Sequence, residues 1–275
     1  MSNYTCKKKC YPSRSVAKKK LKQLKRTKRN HRGLNGVYFC NECQMWHLTS
    51  SAKRIDMSKV KSLIEIGNDQ QCDKGDENHS HAGQSYFDVY ESVFQDRRFK
   101  KLNLLELGVR DGRSLRVWRE YFTKANICGV DINPDCLKVD TKGCKVEVCS
   151  QDDQEKLESI SRKARGWDII IDDASHLNEL TAKSFEILWK TVKPNGLYII
   201  EDLKVSYADL SGMPENWNFL DLHPDDEKIS RKNDRKVLDD VFHNLIMGMD
   251  LAKNNVRSVQ FFHQMVVIQK IGKEK

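Results

Sequence analysis

Residues 102–131 read LNLLELGVRDGRSLRVWREYFTKANICGVD. An apolar strand ends in an acid, a glycine turn follows, then an amphipathic helix and a second strand closing on Asp131, which is half of a nucleotide-binding fold. Gly108 and Gly112 leave the backbone room to approach a ligand at the carboxyl end of the first strand, where open α/β sheets place their crevices. Asp131 lies about 20 residues beyond the turn, the separation at which a carboxylate holds both hydroxyls of a ribose. The two glycines are wrongly spaced for a dinucleotide fingerprint, and no third follows. The acid-x-Gly turn of Glu106 and Gly108, followed by Asp131, suits S-adenosylmethionine better.

The alternation continues outward from this stretch. Residues 145–149 read as a third strand, with Gln151, Asp152 and Asp153 at its carboxyl end, where polar side chains can meet an adenine edge. A helix is expected over 154–163, a buried β-branched strand over 167–172 and a helix over 177–190. Pro194, Asn195 and Gly196 read as a turn before a fifth strand at 197–200. After a long irregular region, 203–234, come an amphipathic helix at 237–252 and two strands, 256–262 and 265–270, joined by a very short turn. The fold class expected is α/β: a Rossmann-like seven-stranded sheet of the methyltransferase kind with a C-terminal antiparallel hairpin, plus a small N-terminal zinc module. The hairpin points to methyltransferases rather than dehydrogenases by fold-level analogy.

The domains expected are a basic module at 1–52, a linker and lead-in segment at 53–82 and a catalytic domain at 83–275. Residues 57–66 are helix-compatible, residues 68–80 are polar, and Tyr86, Phe87, Tyr90, Val93 and Phe94 recur at helical spacing, as core aromatics do. The net charge of +9 is unevenly spread: residues 1–60 carry 16 Lys or Arg against Glu42 and Asp56, so the remainder is slightly acidic. No run approaches 18 apolar residues, so no membrane span is expected. Nine cysteines without a secretory leader point to a reducing cytoplasm and to thiols that are buried or bound to metal.

The head contains YTCKKKCY at 4–11 and VYFCNECQMWHLT at 37–49. Cys40, Cys43 and His47 form a knuckle offering two thiolates and an imidazole, and either Cys6 or Cys10 can complete a tetrahedral zinc site. A redox role for Cys40 and Cys43 is the alternative, but no βαβ pattern surrounds them. Between the half-sites Ser15 is placed to cap a helix with Val16, Leu21 and Leu24 on one side and lysines around the rest. The basic stretch 7–32 suits a nucleic acid or another polyanion; a merely solvated charged helix is the plainer alternative.

Three acids and a histidine gather at adjacent strand ends in IIIDDASH (169–176) and YIIEDL (198–203). Asp173, Glu201 and Asp202 are placed to share one hard divalent cation such as Mg²⁺, and His176 to take a proton from a hydroxyl acceptor. The alternative is that Ser175 and the aspartates cap the following helix and that His176 is structural.

Over about half the chain, residues 73–207 resemble the metal-dependent macrolide-sugar O-methyltransferases and the cephalosporin hydroxylase family of similar fold. The matching pieces are Asp73-Lys74-Gly75, Tyr86, LLELGVRDGRSLRVWREYF, GVDI, IIIDDASH, VKPNGLYIIEDL and Ser206-Tyr207. The resemblance implies Glu106, Gly108 and Asp131 on S-adenosylmethionine, with Gly112 in the same loop, and Gln151 and Asp153 near the adenine. It implies Asp173, Glu201 and Asp202 on Mg²⁺, with His176 as base beside Asp173. Ser150 departs from the family, which commonly has an Asp there. The head resembles a small zinc-ribbon module of phage and bacterial proteins through Cys6, Tyr11, Cys40, Cys43, Trp46, His47, Leu48 and Thr49. That resemblance implies Cys6, Cys40, Cys43 and His47 as zinc ligands and leaves Cys10 spare.

The leading expectation is therefore a Mg²⁺-assisted, S-adenosylmethionine-dependent O-methyltransferase acting on a saccharide or another hydroxyl compound. A ribose 2′-hydroxyl of nucleic acid is the competing acceptor. Base methylation is disfavoured, because none of the five prolines forms a Pro-Pro-aromatic motif or precedes a cysteine. A catalytically inactive nucleic-acid-binding protein and an iron-dependent hydroxylase are further alternatives; three acids and one histidine are harder than the usual two-histidine iron site.

Overall fold

The structure, a computed structural model, describes residues 9–26, 34, 36–40, 45–49, 60–208, 222–224 and 232–272, and the chain divides into two units, Met1–Lys61 and Ser62–Lys275.

In the second unit, α2 (Leu63–Asp69), the short antiparallel pair β3 (Ser80–His81) and β4 (Gln84–Ser85), and α3 (Tyr86–Phe94) precede an alternating series. It runs β5 (Asn103–Leu107), α4 (Arg113–Tyr121), β6 (Asn126–Asp131), β7 (Lys145–Val148), α5 (Gln154–Ala164), β8 (Trp167–Asp172), α6 (Asn178–Trp189) and β9 (Val192–Ile200). Helix α7 (Lys236–Asp250) and strands β10 (Val256–Phe262) and β11 (Met265–Lys270) follow. The sheet order is β10-β11-β9-β8-β5-β6-β7; the five central strands β5 to β9 run parallel, and β11 joins β9 and β10 antiparallel. The β-branched run Ile169, Ile170 and Ile171 is wholly buried because helices cover both faces. Leu63, Ile66, Phe87 and Trp118 fill one face, and Leu157, Phe185, Leu188 and Phe242 fill the other. Strand β5 pairs with β6 on one side and β8 on the other. The chain reverses direction across the sheet there, and a crevice opens beyond the carboxyl ends.

Two expectations change. Strand β9 begins at Val192 and runs through Pro194, Asn195 and Gly196. Its pairing with β8 shifts from Trp167↔Val192 to Ile169↔Leu197, and Asn195 takes a φ of 62°, so the turn residues form an irregularity inside the strand. The stretch 62–82, read as linker, is built into the body. Ser62 and Glu65 make a capping box for α2, which places Leu63 and Ile66 in the core, and Lys74 is buried too. The expected helix at 57–66 thus starts later, at Leu63, and its residues 57–59 lie outside the described ones.

In the first unit, α1 (Arg14–Arg26) accompanies the hairpin of β1 (Gly36–Cys40) and β2 (Met45–Thr49). Tyr11 and Trp46 exchange backbone hydrogen bonds of 2.8 and 2.9 Å, which sets residue 10 beside residue 47. Ser13, not Ser15, accepts from a first-turn amide, that of Val16. Ala17 and Leu21 are the buried residues of α1, while Val16 is exposed, so the inward stripe is rotated from the expected one. The described lysines 18, 19 and 22 are exposed.

A chain covering residues 60–275 should keep one cooperative urea transition, whereas a start at residue 83 removes Leu63, Ile66 and Lys74 and should cost more than the ~2–5 kcal/mol expected of Leu63→Ala alone. Equal stability of the two truncations, read from their urea midpoints, would contradict this packing.

Candidate active site

The glycine loop after β5 and the carboxylate after β6 are locked together. Asp131 Oδ2 accepts from the amides of Val109 and Arg110 at 2.7 and 2.9 Å, and Oδ1 accepts from Asn133 at 2.9 Å. Gly108 has a φ of +90°, and a Cβ there would lie 2.0 Å from the Asp173 carbonyl oxygen. The loop can therefore touch the end of β8 only with glycine at this position. Gly112, with a φ of +73°, forms the left-handed N-cap of α4.

A cleft of about 710 Å³ opens at these strand ends, lined among others by Gly108, Asp131, Gln151, Asp173, His176 and Asp202. Not every expected cofactor residue reaches it. Glu106 is fully buried and accepts from Ser114 Oγ at 2.8 Å and Trp118 Nε1 at 3.0 Å, and its burial pushes its pKa up to about 7. Asp153 caps α5 by accepting from Lys156 N, and Gly112 lies outside the cleft lining. Gln151 does line the cleft, but its Oε1 accepts from the Ser175 amide at 2.9 Å.

The acidic group is also sorted by burial. Asp172 points inward, held by the Ser184 and Tyr198 hydroxyls, and burial raises its pKa to about 6. Asp173 faces the cleft. Behind it the Lys74 ammonium, buried by the turn after α2, donates to Asp173 Oδ2 and Glu201 Oε2, each at 2.5 Å. Glu201 Oε1 accepts from the Tyr90 hydroxyl, so both of its oxygens are engaged. Burial opposes the charge on Lys74, but Asp173, Glu201 and Glu106 outweigh it and hold the amine well above its ordinary pKa.

Asp202 lies between two imidazoles. Its Oδ2 is 3.7 Å from His176 Nε2, its Oδ1 is 3.8 Å from His79 Nε2, and the Tyr86 hydroxyl donates to Oδ1 at 2.9 Å. Burial would raise the Asp202 pKa, but His176, Lys74, His79 and Tyr86 outweigh burial and hold it below the usual carboxylate range. His176 and Asp202 both take left-handed backbone, with φ of 57° and 52°. Such conformations in non-glycine residues persist where surroundings over-determine them. Asn233 supplies part of that restraint: its amide donates to His176 O and Val205 O, each at 2.9 Å, and its oxygen accepts from Asn178 N at 2.7 Å.

Asp173, His176 and Asp202 each present a ligand atom, and these atoms lie within 4.8 Å of one another. Two carboxylates and an imidazole with room beside them fit one divalent cation. Glu201, expected as the third ligand, stands outside this trio because Lys74 and Tyr90 occupy it. His176 takes its place in the cluster, in the loop ahead of α6 rather than on the helix. Lys74, His79, Tyr86, Tyr90 and Asn233 were not singled out as site residues in the sequence. The aromatic spacing correctly marked the two tyrosines as buried, and the Asp73-Lys74-Gly75 match was the only signal for Lys74.

In the first unit, His47 is buried, its Nδ1 is 2.9 Å from Lys9 O, and its Nε2 faces Cys10 Sγ at 4.0 Å. Cys40 lies two residues along β1 from Tyr38, the partner of His47 across the hairpin, so Cys40 and His47 share a face. Cys6 and Cys43 lie outside the described residues.

No protein-family model matches the chain. Mycinamicin VI 2''-O-methyltransferase of Micromonospora griseorubida is 38% identical over 125 residues, 43% of this chain and 31% of that protein. Demethylmacrocin O-methyltransferase of Streptomyces fradiae is 34% identical over 125 residues, with the same shares of 43% and 31%. The chain thus spans about a third of the length of these curated relatives. A solved structure of the MycE methyltransferase from the mycinamycin biosynthetic pathway, in complex with Mg, SAH and mycinamycin VI, aligns with a TM-score of 0.60 and 26% identity. It covers 78% of this chain and 56% of that one. The chain has the α/β methyltransferase fold, with a mostly parallel seven-stranded sheet and a C-terminal antiparallel hairpin, and is related to the macrolide-sugar O-methyltransferases.

Burial of Glu106 makes the stability of the fold depend on pH. A carboxyl whose folded pKa is about 7 and whose ordinary value is 4.5 binds its proton more tightly when folded. Its contribution to stability is full below the unfolded pKa and is lost as pH rises towards 7. Glu106→Gln should flatten the urea stability profile between about pH 4.5 and 7; an unchanged slope would place the titration elsewhere. Separately, Gly108→Ala should lower the urea midpoint, because the Cβ meets Asp173 backbone; an unchanged midpoint would contradict this close approach.

Proposed function

We propose that the chain is an S-adenosylmethionine-dependent O-methyltransferase that uses a divalent cation, Mg²⁺ by preference, to methylate a hydroxyl of a sugar or sugar-bearing compound. The observation that carries this reading is the meeting of two devices in one cleft. The Gly108 loop, braced on Asp131, stands against Asp173, and Asp173 belongs to the cluster with His176 and Asp202. The relatedness to sugar O-methyltransferases, and the Mg and SAH bound in MycE, support the same assignment.

In this reading the Gly108 loop and Asp131 would hold the methyl donor, Asp131 bracing the loop through Oδ2 and lining the cleft where its Oδ1 would accept a ribose hydroxyl beside the Asn133 amide. Gln151, at the cleft wall, remains the proposed adenine neighbour, while Asp153, also expected there, caps α5 outside the cleft lining. Asp173 and Asp202 would hold the cation, and Glu201, whose oxygens are taken by Lys74 and Tyr90, would stand behind Asp173 as the buried third carboxyl. When bound, the cation supplies positive charge that makes a nearby hydroxyl more acidic and orients it. With the cation on Asp173 and Asp202, His176 would serve as the base rather than as a ligand: its Nε2 would accept the proton, and Asp202 beside it would stabilise the imidazolium. Bound in this cleft, acceptor oxygen and methyl group would need to meet in line, and such positioning would supply much of the rate.

For the first unit we retain structural zinc held by Cys40, Cys43 and His47 with Cys6 or Cys10. The Lys9 carbonyl fixes the Nδ1 side of His47 and leaves Nε2 turned towards Cys10, the orientation a metal-ligating histidine takes. Its exposed lysines suit a polyanion, and a ribose hydroxyl of RNA is the second acceptor to test.

Tritiated methyl groups should transfer from S-adenosylmethionine to a glycoside extract, and chelation should abolish transfer until Mg²⁺ is restored. Transfer to RNA instead would establish the second acceptor, and transfer to neither would contradict the reading. His176→Ala should lose about 10²–10⁴-fold in rate with donor affinity nearly unchanged, whereas a wild-type rate would make His176 structural. Elemental analysis should find one zinc per chain in protein purified without added metal, and none after removal of the first unit.

A further inference from the structure

The carboxyl groups of Asp173, Glu201 and Asp202 meet in one corner, where burial and Asp173 push the Glu201 pKa up, and among the described residues the Lys74 ammonium reaches between two of them. Lys74 Nζ lies 2.5 Å from one oxygen of Asp173 and 2.5 Å from one oxygen of Glu201. The side chains of Lys74 and Glu201 are 4% and 1% exposed, so water contributes little to screening this contact. The ammonium therefore stands where a hard cation shared by these two carboxylates would stand. It is carried by the short turn Asp73–Gly75, whose other contacts face the cleft mouth: Asp73 Oδ2 is 3.5 Å from Arg110 Nη1, and Asp73 O is 2.9 Å from His79 Nδ1.

We propose that Lys74 is a tethered cation that competes with the divalent metal for Asp173, which it holds together with Glu201, and so sets the metal affinity of the site. The inference rests on the reading that this cleft takes a divalent cation. In the metal-free protein the ammonium keeps Asp173 and Glu201 from repelling each other. On metal binding Asp173 must be shared with or surrendered to the new ion, and the like charge of Lys74 opposes its arrival. Lys74 is then a positioning residue: it touches the carboxylates, and its effect on methyl transfer passes through the metal.

Calorimetric titration of Mg²⁺ into the full chain saturated with S-adenosylhomocysteine tests this. Lys74→Met should bind Mg²⁺ at least ~10-fold more tightly than wild type, and Lys74→Arg, which keeps the charge, should stay within about threefold. Without metal, K74M should unfold at lower urea and should regain more stability from Mg²⁺ than wild type does. Equal or weaker Mg²⁺ binding by K74M overturns the competition, as does a K74M chain that stays unfolded in saturating Mg²⁺. Wild-type protein that binds S-adenosylhomocysteine but no Mg²⁺ would instead remove the metal reading, and this inference with it.

Discussion

The organisation of the body depends on holding Asp173, Glu201 and Asp202 together without letting them repel one another apart. Each is given a different solution. Glu201 is sealed from water and shared between Lys74 and Tyr90. Asp173 takes the other side of Lys74 and keeps its cleft side open. Asp202 is held by Tyr86 and flanked by His79 and His176. A buried charge costs heavily unless it is paired and hydrogen-bonded, so these partners are conditions for the acids being present at all.

That requirement explains why the segment after α2 belongs to the body. The turn at Asp73–Gly75 delivers Lys74, and α3 delivers both Tyr86 and Tyr90, one helical turn apart, to consecutive acids on the end of β9. The same helix buries Phe87 and Phe94 against Trp118. Its apolar face anchors it, and its two hydroxyls do electrostatic work. The close approach of Gly108 to Asp173 then joins the glycine loop to the acids, so the two share one wall of the cleft.

Much of this architecture was legible in local pattern. The buried run at β8 and both strands of the C-terminal hairpin have the boundaries that periodicity suggests, because burial on both faces or strict alternation leaves a strong signal. Strand β9 was shortened in the sequence because Pro194, Asn195 and Gly196 are turn residues wherever they are free to be, and the bulge that accommodates them is a product of pairing with β8. The Asp131 side of the cleft was legible for the same reason as the strands: its spacing is local. Glu106 shows the limit of spacing, since an acid at a strand end can turn into the core when Ser114 and Trp118 offer hydrogen bonds there. Lys74 and His79 lay in a polar stretch that resembles a linker, and only the tertiary route of the chain brings them to residues more than a hundred positions away. In the head, Ser13 and Ser15 were equivalent caps by type, and the start of α1 separates them.

The central claim is that the ends of β8 and β9 hold a divalent cation against the wall that carries the methyl donor. The most direct measurement is anomalous diffraction from crystals grown with Mn²⁺ and S-adenosylhomocysteine. The account predicts one strong manganese peak between Asp173 and Asp202, with the adenosyl group over Gly108 and Asp131. Bound S-adenosylhomocysteine with no peak at those carboxylates would contradict it.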